Sequence, residues 1–185
     1  MTTDTTADVA LLERVRGFLY REARHLDDRE FERWLECYHP DAEFWMPAWA
    51  DDGELTTDPR REISLIYYPT RAGLEDRVFR IRTDRSSATS LPEPRTGHNI
   101  TQVEIVGRGG ETGGTGDTGG TGGTGGTVDI RFNWFTLYYR YQTVDTYFGT
   151  SYYTLDLGGP EPLITRKKVV LKNDYVHHVV DVYHV

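Results

Sequence analysis

The stretch VDIRFNWFTLYYRY (residues 128–141) decides the fold, and DTYFGTSYYTLDL (145–157) follows it. In the first stretch large apolar side chains recur at every second position, which places them on one face of an extended strand. That face carries Ile130, Phe132, Trp134 and Tyr138. Consecutive long strands of this kind predict an antiparallel meander rather than a parallel sheet.

Further strands are predicted on both sides of this pair. Residues 98–106 and 162–172 have the same β pattern. Residues 42–49, AEFWMPAW, are rich in aromatic side chains and read as extended. Residues 62–68, EISLIYY, fit a helix or a strand equally well, and the pattern leaves this choice open.

Helical patterns precede the strands. Apolar residues recur at three- and four-residue spacing over 8–26. Asp27 is predicted to cap a second helix, with Glu30 as its capping-box partner and Pro40 as its end. Its apolar stripe would be Phe31, Trp34, Leu35 and Tyr38. A short helix over 72–82 would place Leu74, Val78 and Phe79 on one side. Helices first and strands after predict an α+β fold, with the helices on one face of a curved sheet.

The segment at 107–127 interrupts the β pattern with a run that is nearly all Gly and Thr. Such a run cannot bury enough apolar area to offset the cost of ordering it, so it predicts a flexible hairpin loop. A long loop costs little stability, because closure entropy grows only slowly with length. The length of the chain suits one domain spanning residues 1–185.

Charge excludes several classes of partner. The chain has 29 acidic and 21 basic side chains and a net charge of −8, so binding to nucleic acid or anionic lipid is not expected. No apolar stretch has the roughly 18 residues of a membrane span, and the N-terminus lacks the pattern of a secretory signal. Cys37 is the single cysteine and fits a reducing cytoplasm. It reads as a small buried residue on a helix rather than as a nucleophile.

Two alternatives would give the chain chemistry of its own. If residues 177–184 were helical, His177, Asp181 and His184 would share one face as a possible iron ligand set. The β-branched sequence VHHVVDVYHV instead favours a final strand or a tail that packs against a partner. A buried acid–base pocket for isomerisation or dehydration is the other alternative. Its candidate residues are Tyr20, Asp41, Glu43 and His98.

The run RVFRIRTDR (77–85) brings several arginines together. It fits a carboxylate or phosphate site, but closely spaced arginines among apolar residues more often form ion pairs or subunit contacts. We therefore predict a subunit interface rather than a ligand site. The candidate interface residues are Arg77, Arg80, Arg82, Arg85, Tyr175, His177, His178 and Tyr183.

Several stretches, in order, resemble the small (β) subunits of aromatic-ring-hydroxylating dioxygenases, above all those that oxidise benzoate, toluate and anthranilate. Together they span nearly the whole chain. The stretches are FLYREARHLDD (18–28), FWMPAW (44–49), EISLIYY (62–68), GLEDRVFRIRTDRSSAT (73–89), RTGHNI (95–100), YFGTSYYTLD (147–156) and KKVVLKNDY (167–175). The Gly/Thr-rich run is the main departure from the family.

The resemblance implies an NTF2-like (cystatin-like) cone, in which a strongly curved antiparallel sheet wraps around helices. It also implies an α3β3 hexamer. The large subunit would hold a Rieske [2Fe–2S] cluster and a mononuclear Fe(II), and NADH would supply electrons through a reductase. Benzoate or a related aromatic carboxylate would be cis-dihydroxylated with O2.

The residues agree with this division of labour, because a Rieske centre needs two Cys and two His and this chain has one Cys. We expect no catalytic, metal or cofactor residues in the chain. An isomerase, a dehydratase or a small-ligand binding module on the same fold remains the alternative. The side chains expected to be buried in the core or in subunit contacts are Phe44, Trp45, Trp49, Trp134, Tyr139 and Tyr153.

Overall fold

The computed structural model describes residues 5–83, 92–109, 126–177 and 179–185. The helices are α1 (Thr5–Asp27), α2 (Phe31–Leu35) and α3 (Ala72–Arg82), and a 3-10 turn follows at Val182–His184. The strands are β1 (Tyr38–Pro47), β2 (Ser64–Tyr68), β3 (Arg95–Arg108), β4 (Thr127–Arg140), β5 (Thr143–Asp156) and β6 (Leu163–Leu171). Of the Gly/Thr-rich run predicted as a flexible loop, residues 110–125 lie outside the described residues.

These strands form one sheet in the order β2-β1-β6-β5-β4-β3. Every neighbouring pair is antiparallel except β1 and β6, which run parallel. The parallel pair arises because the chain passes through α3 to the far edge of the sheet and returns by successive hairpins. The return brings β6 beside β1 in the same direction. The predicted meander is therefore confirmed for β3 to β6, and the complete sheet is mixed.

The β4–β5 hairpin is the longest continuous ladder. Its register runs without interruption from Thr127 opposite Asp156 to Arg140 opposite Thr143. The two-residue turn consists of Tyr141 and Gln142, whose φ angles are +51° and +62°. A tight hairpin turn needs positive φ at both central residues, and Asn-Gly is the usual solution. Here side chains that rarely adopt this conformation occupy both positions.

The core lies between α1 and the inner face of the sheet. Helix α1 contributes Val15, Phe18 and Leu19, which are buried against inward side chains of the strands. As predicted, the even positions of β4 share this face. The buried even-numbered side chains of β4 are Val128, Ile130, Phe132, Trp134, Thr136, Tyr138 and Arg140. Phe132 contacts Tyr153 of β5 edge to face, with ring centroids 5.0 Å apart.

The predicted start of the second helix is wrong. Asp27 ends α1 instead of capping α2, and its carboxylate accepts hydrogen bonds from β3. Helix α2 is only five residues long, and Glu30 precedes it without a side-chain cap. Tyr38 and Pro40 belong to β1 rather than to the helix and its end. A single turn needs no strong cap because Trp34 and Phe31 anchor it in the core.

Some of the remaining local predictions are confirmed and others are wrong. For residues 62–68, the sequence pattern fits a helix or a strand, and the structure has a strand there, β2 at Ser64–Tyr68. Helix α3 has the predicted bounds, but Phe79 does not share the buried side with Leu74 and Val78, because it is 67% exposed. Ile81 is buried in its place. In the C-terminal segment, the residues that the structure describes form neither helix nor strand before the closing 3-10 turn.

Candidate subunit interface

The outer face of the sheet, which points away from α1, carries an apolar patch on the β4–β5 hairpin. Its members are Phe135, Leu137, Tyr139, Val144 and Phe148, which we call the outer aromatic patch, and all are exposed. Phe135 lies directly opposite Phe148, and Tyr139 lies opposite Val144. Cross-strand neighbours of this kind touch, so the patch is continuous across the two strands. Contiguous exposed apolar surface marks an interaction site.

The same outer face becomes charged toward the other end of the hairpin. Strand β6 presents Arg166 and Lys168 there. Arg166 Nε lies 3.2 Å from Glu43 Oε1 of β1, and the Tyr67 hydroxyl donates to Glu43 Oε2 at 3.4 Å. Trp45 is buried although it is on this face, and its indole Nε1 donates to Ser64 Oγ at 3.0 Å. Aromatic and cationic side chains therefore lie next to the outer aromatic patch on the same face of the sheet.

The predicted arginine cluster is only partly assembled. Arg77 Nε donates to Asp181 Oδ1 at 2.7 Å, and Arg77 Nη2 donates to Asp181 Oδ2, so this guanidinium pairs within the chain. The Asp181 hydrogen bonds raise the pKa of Arg77.

Arg80 is exposed on α3 and pairs with Asp76 at 2.8 Å. Arg82 is exposed and pairs with Glu32, and Arg85 lies outside the described residues.

The C-terminal candidates for interface residues differ in their exposure. Tyr175 and His177 are exposed, with ring centroids 5.0 Å apart, and are free to face a partner. His178 lies outside the described residues. Tyr183 is buried in the core of the single chain, and its interface role stays a prediction. The last residues of the segment, 181–185, are buried, and the Asp181–Arg77 ion pair connects them to α3.

The two-histidine iron set is not formed. His177 is exposed, whereas Asp181 and His184 are buried. The Asp181 backbone N–H donates to His184 Nδ1 at 2.8 Å, and Asp181 also binds Arg77, so both potential ligands are engaged in local hydrogen bonds. Within the described ranges no three His, Cys, Asp or Glu side chains are grouped to hold a metal ion.

The interior of the cone is filled by a polar cluster around Glu22. Its Oε1 accepts from Trp34 Nε1 at 2.8 Å, from the Tyr38 hydroxyl at 3.1 Å and from Lys167 Nζ at 3.3 Å. The Lys167 ammonium also lies 5.1 Å from the Tyr153 ring centroid. Burial lowers the pKa of Lys167, although the Glu22 carboxylate opposes this shift. These groups satisfy one another, as buried charges must.

The predicted acid–base pocket does not converge. Tyr20 is exposed on α1, Asp41 is exposed on β1, and Glu43 pairs with Arg166 on the outer face. His98 alone points inward, and its Nδ1 lies 2.6 Å from Asp27 Oδ1. The four residues therefore lie on different surfaces of the chain and cannot act on one substrate.

The mouth of the cone is closed by the C-terminal 3-10 turn. The His184 ring centroid lies 4.6 Å from that of Tyr138 and 4.5 Å from that of Tyr147. The cavity that remains between Leu26, Thr96 and Tyr183 measures about 10 Å³. A space of that size holds one water molecule at most. Between these described residues there is no room for a substrate.

The Rieske cluster implied by the family resemblance does not fit this chain. Cys37 is the single cysteine of the sequence, and a Rieske centre needs two. Cys37 Sγ is buried at the end of α2 and donates to Arg33 O at 3.6 Å. Burial and the Glu22 carboxylate raise the pKa of the thiol to about 12, which opposes the thiolate form that a metal ligand requires.

Sequence reasoning missed the outer aromatic patch. The predicted inner face of β4 uses the even positions, but from Phe135 onward the odd positions are also large and apolar. A strand that is apolar on both faces is expected to be covered on both faces. This pattern in the sequence could have revealed the patch. Of the six side chains expected to be buried, Trp49 and Tyr139 are exposed in the single chain, and the other four are buried.

Comparison with known proteins agrees with this geometry. The chain is 56% identical to the beta subunit of toluate 1,2-dioxygenase from Pseudomonas putida over 94% of this chain and 97% of the relative. It is 49% identical to the beta subunit of benzoate 1,2-dioxygenase from Acinetobacter baylyi over 100% of both chains.

A solved structure also matches. The crystal structure of the beta subunit of benzoate 1,2-dioxygenase from Burkholderia mallei superposes with a TM-score of 0.69 at 50% identity, covering 92% of this chain and 95% of that one. The predicted α+β, NTF2-like cone with N-terminal helices is thereby confirmed. The family model described as "Ring hydroxylating beta subunit" matches residues 21–115 and 120–178. The chain therefore belongs to the family of ring-hydroxylating dioxygenase beta subunits.

Proposed function

We propose that this chain is the non-catalytic small subunit of a dioxygenase that cis-dihydroxylates benzoate or a related aromatic carboxylate with O2 and NADH. Two relatives that match over nearly their whole length are the beta subunits of toluate 1,2-dioxygenase and benzoate 1,2-dioxygenase. The observation that carries the proposal is the contrast between the two faces of the sheet. The inner face is filled and closed, whereas the outer face exposes a continuous aromatic patch.

The partner is the large (α) subunit, in an α3β3 hexamer that also brings small subunits together. A Rieske [2Fe–2S] cluster and a mononuclear Fe(II) in that large subunit would supply the oxygen chemistry, with electrons from NADH through a reductase. The donor set of this chain is consistent with that assignment, because its cysteine is single and buried. None of the helices in the described ranges is long and apolar enough to cross a membrane. We place the complex in the cytoplasm, where a lone thiol stays reduced.

Among the predicted interface residues, Arg80, Arg82, Tyr175 and His177 are exposed and remain candidates for subunit contacts. Arg77 and Tyr183 would act indirectly, by holding the C-terminal segment in place. The outer aromatic patch adds the apolar area that a lasting interface needs. Arginine and aromatic side chains are the residues that most often dominate binding energy at such interfaces.

Reconstitution tests the proposal. The purified chain alone should contain no iron and should not oxidise benzoate, and it should restore benzoate dihydroxylation when mixed with the large subunit, the reductase and NADH. Phe148→Asp, which places a charge in the centre of the patch, should weaken complex formation at least tenfold. Tyr20→Asp, an exposed aromatic of α1, serves as the matched control and should assemble normally.

Two results would assign chemistry to the isolated chain and so contradict the proposal. Tightly bound iron in the isolated chain would be one. The other would be turnover by the isolated chain of a carbonyl substrate by isomerisation or dehydration, as the alternative enzyme on this fold would show. Saturable binding of small aromatic compounds without any effect on assembly would favour a ligand-binding module instead.

A further inference from the structure

Buried polar atoms without a partner gather toward the end of the cone that the C-terminal 3-10 turn covers, which we call the closed end. Among the residues that the structure describes, no group forms a hydrogen bond with His98 Nε2, Thr136 Oγ1, Tyr147 Oη or Trp134 Nε1. In folded proteins most buried polar side-chain atoms have a partner, which is either protein or ordered water. A group of such atoms in one part of the core therefore points to a further binding partner.

Three of these residues form a row across the inner face of the sheet. His98 of β3 lies directly opposite Thr136 of β4, and Thr136 lies directly opposite Tyr147 of β5. The His98 side chain is 6% exposed, and Thr136 and Tyr147 are almost completely buried. Directly opposite residues of an antiparallel pair have Cβ atoms about 4.5–5.5 Å apart. This spacing suits one bridging water between His98 and Thr136, because two hydrogen bonds of about 2.8 Å span a similar distance.

The Asp27 carboxylate determines what His98 Nε2 can bind. His98 Nδ1 lies 2.6 Å from Asp27 Oδ1, and an ionised carboxylate only accepts hydrogen bonds, so Nδ1–H is the donor. In the neutral imidazole Nε2 is then an acceptor and needs a donor. Water meets this need, since it can donate to Nε2 and also exchange a hydrogen bond with the Thr136 hydroxyl. An anion does not, because it cannot donate and the Asp27 charge repels it.

Packing at the closed end leaves a small space. A cavity of about 10 Å³ is lined by Thr96 and Tyr183, among others, and about one water fills such a volume. Thr96 lies two residues before His98 and therefore on the same face of β3, and both residues bind Asp27. By contrast, the Glu22 carboxylate accepts hydrogen bonds from groups of the chain itself. The polar atoms that lack protein partners and the small cavity thus occur at the same end of the cone.

We propose that an ordered water molecule binds His98 Nε2 and Thr136 Oγ1 at the closed end of the cone, with the Tyr147 hydroxyl available as a third partner. A buried water typically makes about three hydrogen bonds to groups that would otherwise be unsatisfied. This water extends the hydrogen-bonded path from Asp27 and His98 to β4, so it connects the end of α1 with the centre of the sheet. The inference goes beyond the proposed function and does not depend on the large subunit.

The sign of a thermal shift tests this site in the full chain. Thr136→Val nearly keeps the size of the side chain and removes the hydroxyl. If the hydroxyl binds the water, the variant loses that hydrogen bond, and the thermal midpoint should fall by about 2–4 °C. If the hydroxyl is buried without any partner, its removal should instead raise the midpoint. Thr146→Val is the matched control, because Thr146 is an exposed residue of the same sheet, and it should shift the midpoint by less than about 1 °C.

A high-resolution crystal structure of the full chain identifies the partner directly. It should show density for a single water about 2.6–3.2 Å from both His98 Nε2 and Thr136 Oγ1, and this density should be missing in Thr136→Val. A side chain or backbone group of this chain in that position would overturn the inference, whatever the midpoints are. Extended density from an organic molecule would also overturn it, since the ligand would not be water. An unchanged or higher midpoint for Thr136→Val would equally count against the site.

Discussion

Glu22 of α1 and Lys167 of β6 form an ion pair in the interior of the chain, 145 residues apart in sequence and 3.3 Å apart in space. Both side chains are almost completely buried. The pair joins the first helix to the sixth strand, and Trp34 and Tyr38 add hydrogen bonds to the same carboxylate oxygen. In this position, at the centre of the cone, a buried charge pair takes the volume that a substrate would need.

Lys167→Met should lower the free energy of unfolding by about 3–5 kcal/mol, because it leaves the Glu22 carboxylate buried without its counter-ion. The double variant Glu22→Gln/Lys167→Met should recover at least about 2 kcal/mol of that loss, since it removes both charges and keeps an acceptor for Trp34 and Tyr38. Urea unfolding of the two single variants and the double variant measures this coupling. Strictly additive losses would show that the two charges do not stabilise one another.

Trp134→Ala should cost roughly 3–5 kcal/mol of stability, because Trp134 is 94% buried on the inner face of β4 and its removal leaves a large cavity. The next residue, Phe135, points to the outer face and is exposed. Phe135→Ala should change the stability of the single chain by less than about 1 kcal/mol and should instead weaken assembly. Denaturant unfolding checks both values. A loss below about 1 kcal/mol for Trp134→Ala would mean that the inner face was assigned wrongly.

Gly149→Ala should disrupt the centre of the sheet. A Cβ at this position would clash with the backbone oxygen of Val170 and would lie 3.0 Å from Cζ2 of Trp134. Because backbone in a central strand cannot move aside, we expect a loss of about 3 kcal/mol or more, at the upper end of overpacking effects. Gly97→Ala is the control, since a Cβ there meets no atom within 4 Å. Similar thermal midpoints for the two variants would contradict this account.

The strands could be predicted from sequence because alternation is a local property, and Ile130 through Tyr138 display it within nine residues. What failed depended on distant partners. Asp27 has the local pattern of a helix cap, yet its carboxylate binds Thr96 and His98, which lie about 70 residues further along. Arg77 has the pattern of a surface arginine, yet it pairs with Asp181, 104 residues away.

The candidate site shows the same limit. Family resemblance pointed to a subunit role, but no local pattern could place Lys168 beside Trp45, because that contact depends on the parallel pairing of β1 with β6. The outer aromatic patch was readable in principle, since Phe135, Leu137 and Tyr139 alternate as regularly as the inner set. The sequence of the strand does not indicate which of its two apolar faces is covered by the chain itself and which by a partner.

The stability of the chain should depend on pH through Asp27, which joins the end of α1 to β3. Burial opposes ionisation of this carboxyl, but the hydrogen bonds and charge of His98 outweigh it and lower the pKa of Asp27. A carboxyl whose pKa is lower in the folded than in the unfolded state stabilises the fold above its unfolded value, about 4, and that contribution is lost as pH falls through the folded value.

Asp27→Asn should therefore destabilise the chain by about 1–2 kcal/mol at pH 7, a value reduced for the partial exposure of the pair, and by progressively less below about pH 4. Urea unfolding from pH 7 to pH 3 measures the difference between variant and wild type. Asp51→Asn is the matched control, because Asp51 is exposed, and it should follow the wild type throughout. If the Asp27→Asn difference instead grew toward acid, the carboxylate would be unfavourable in the fold and its bridge to His98 would not stabilise the end of α1.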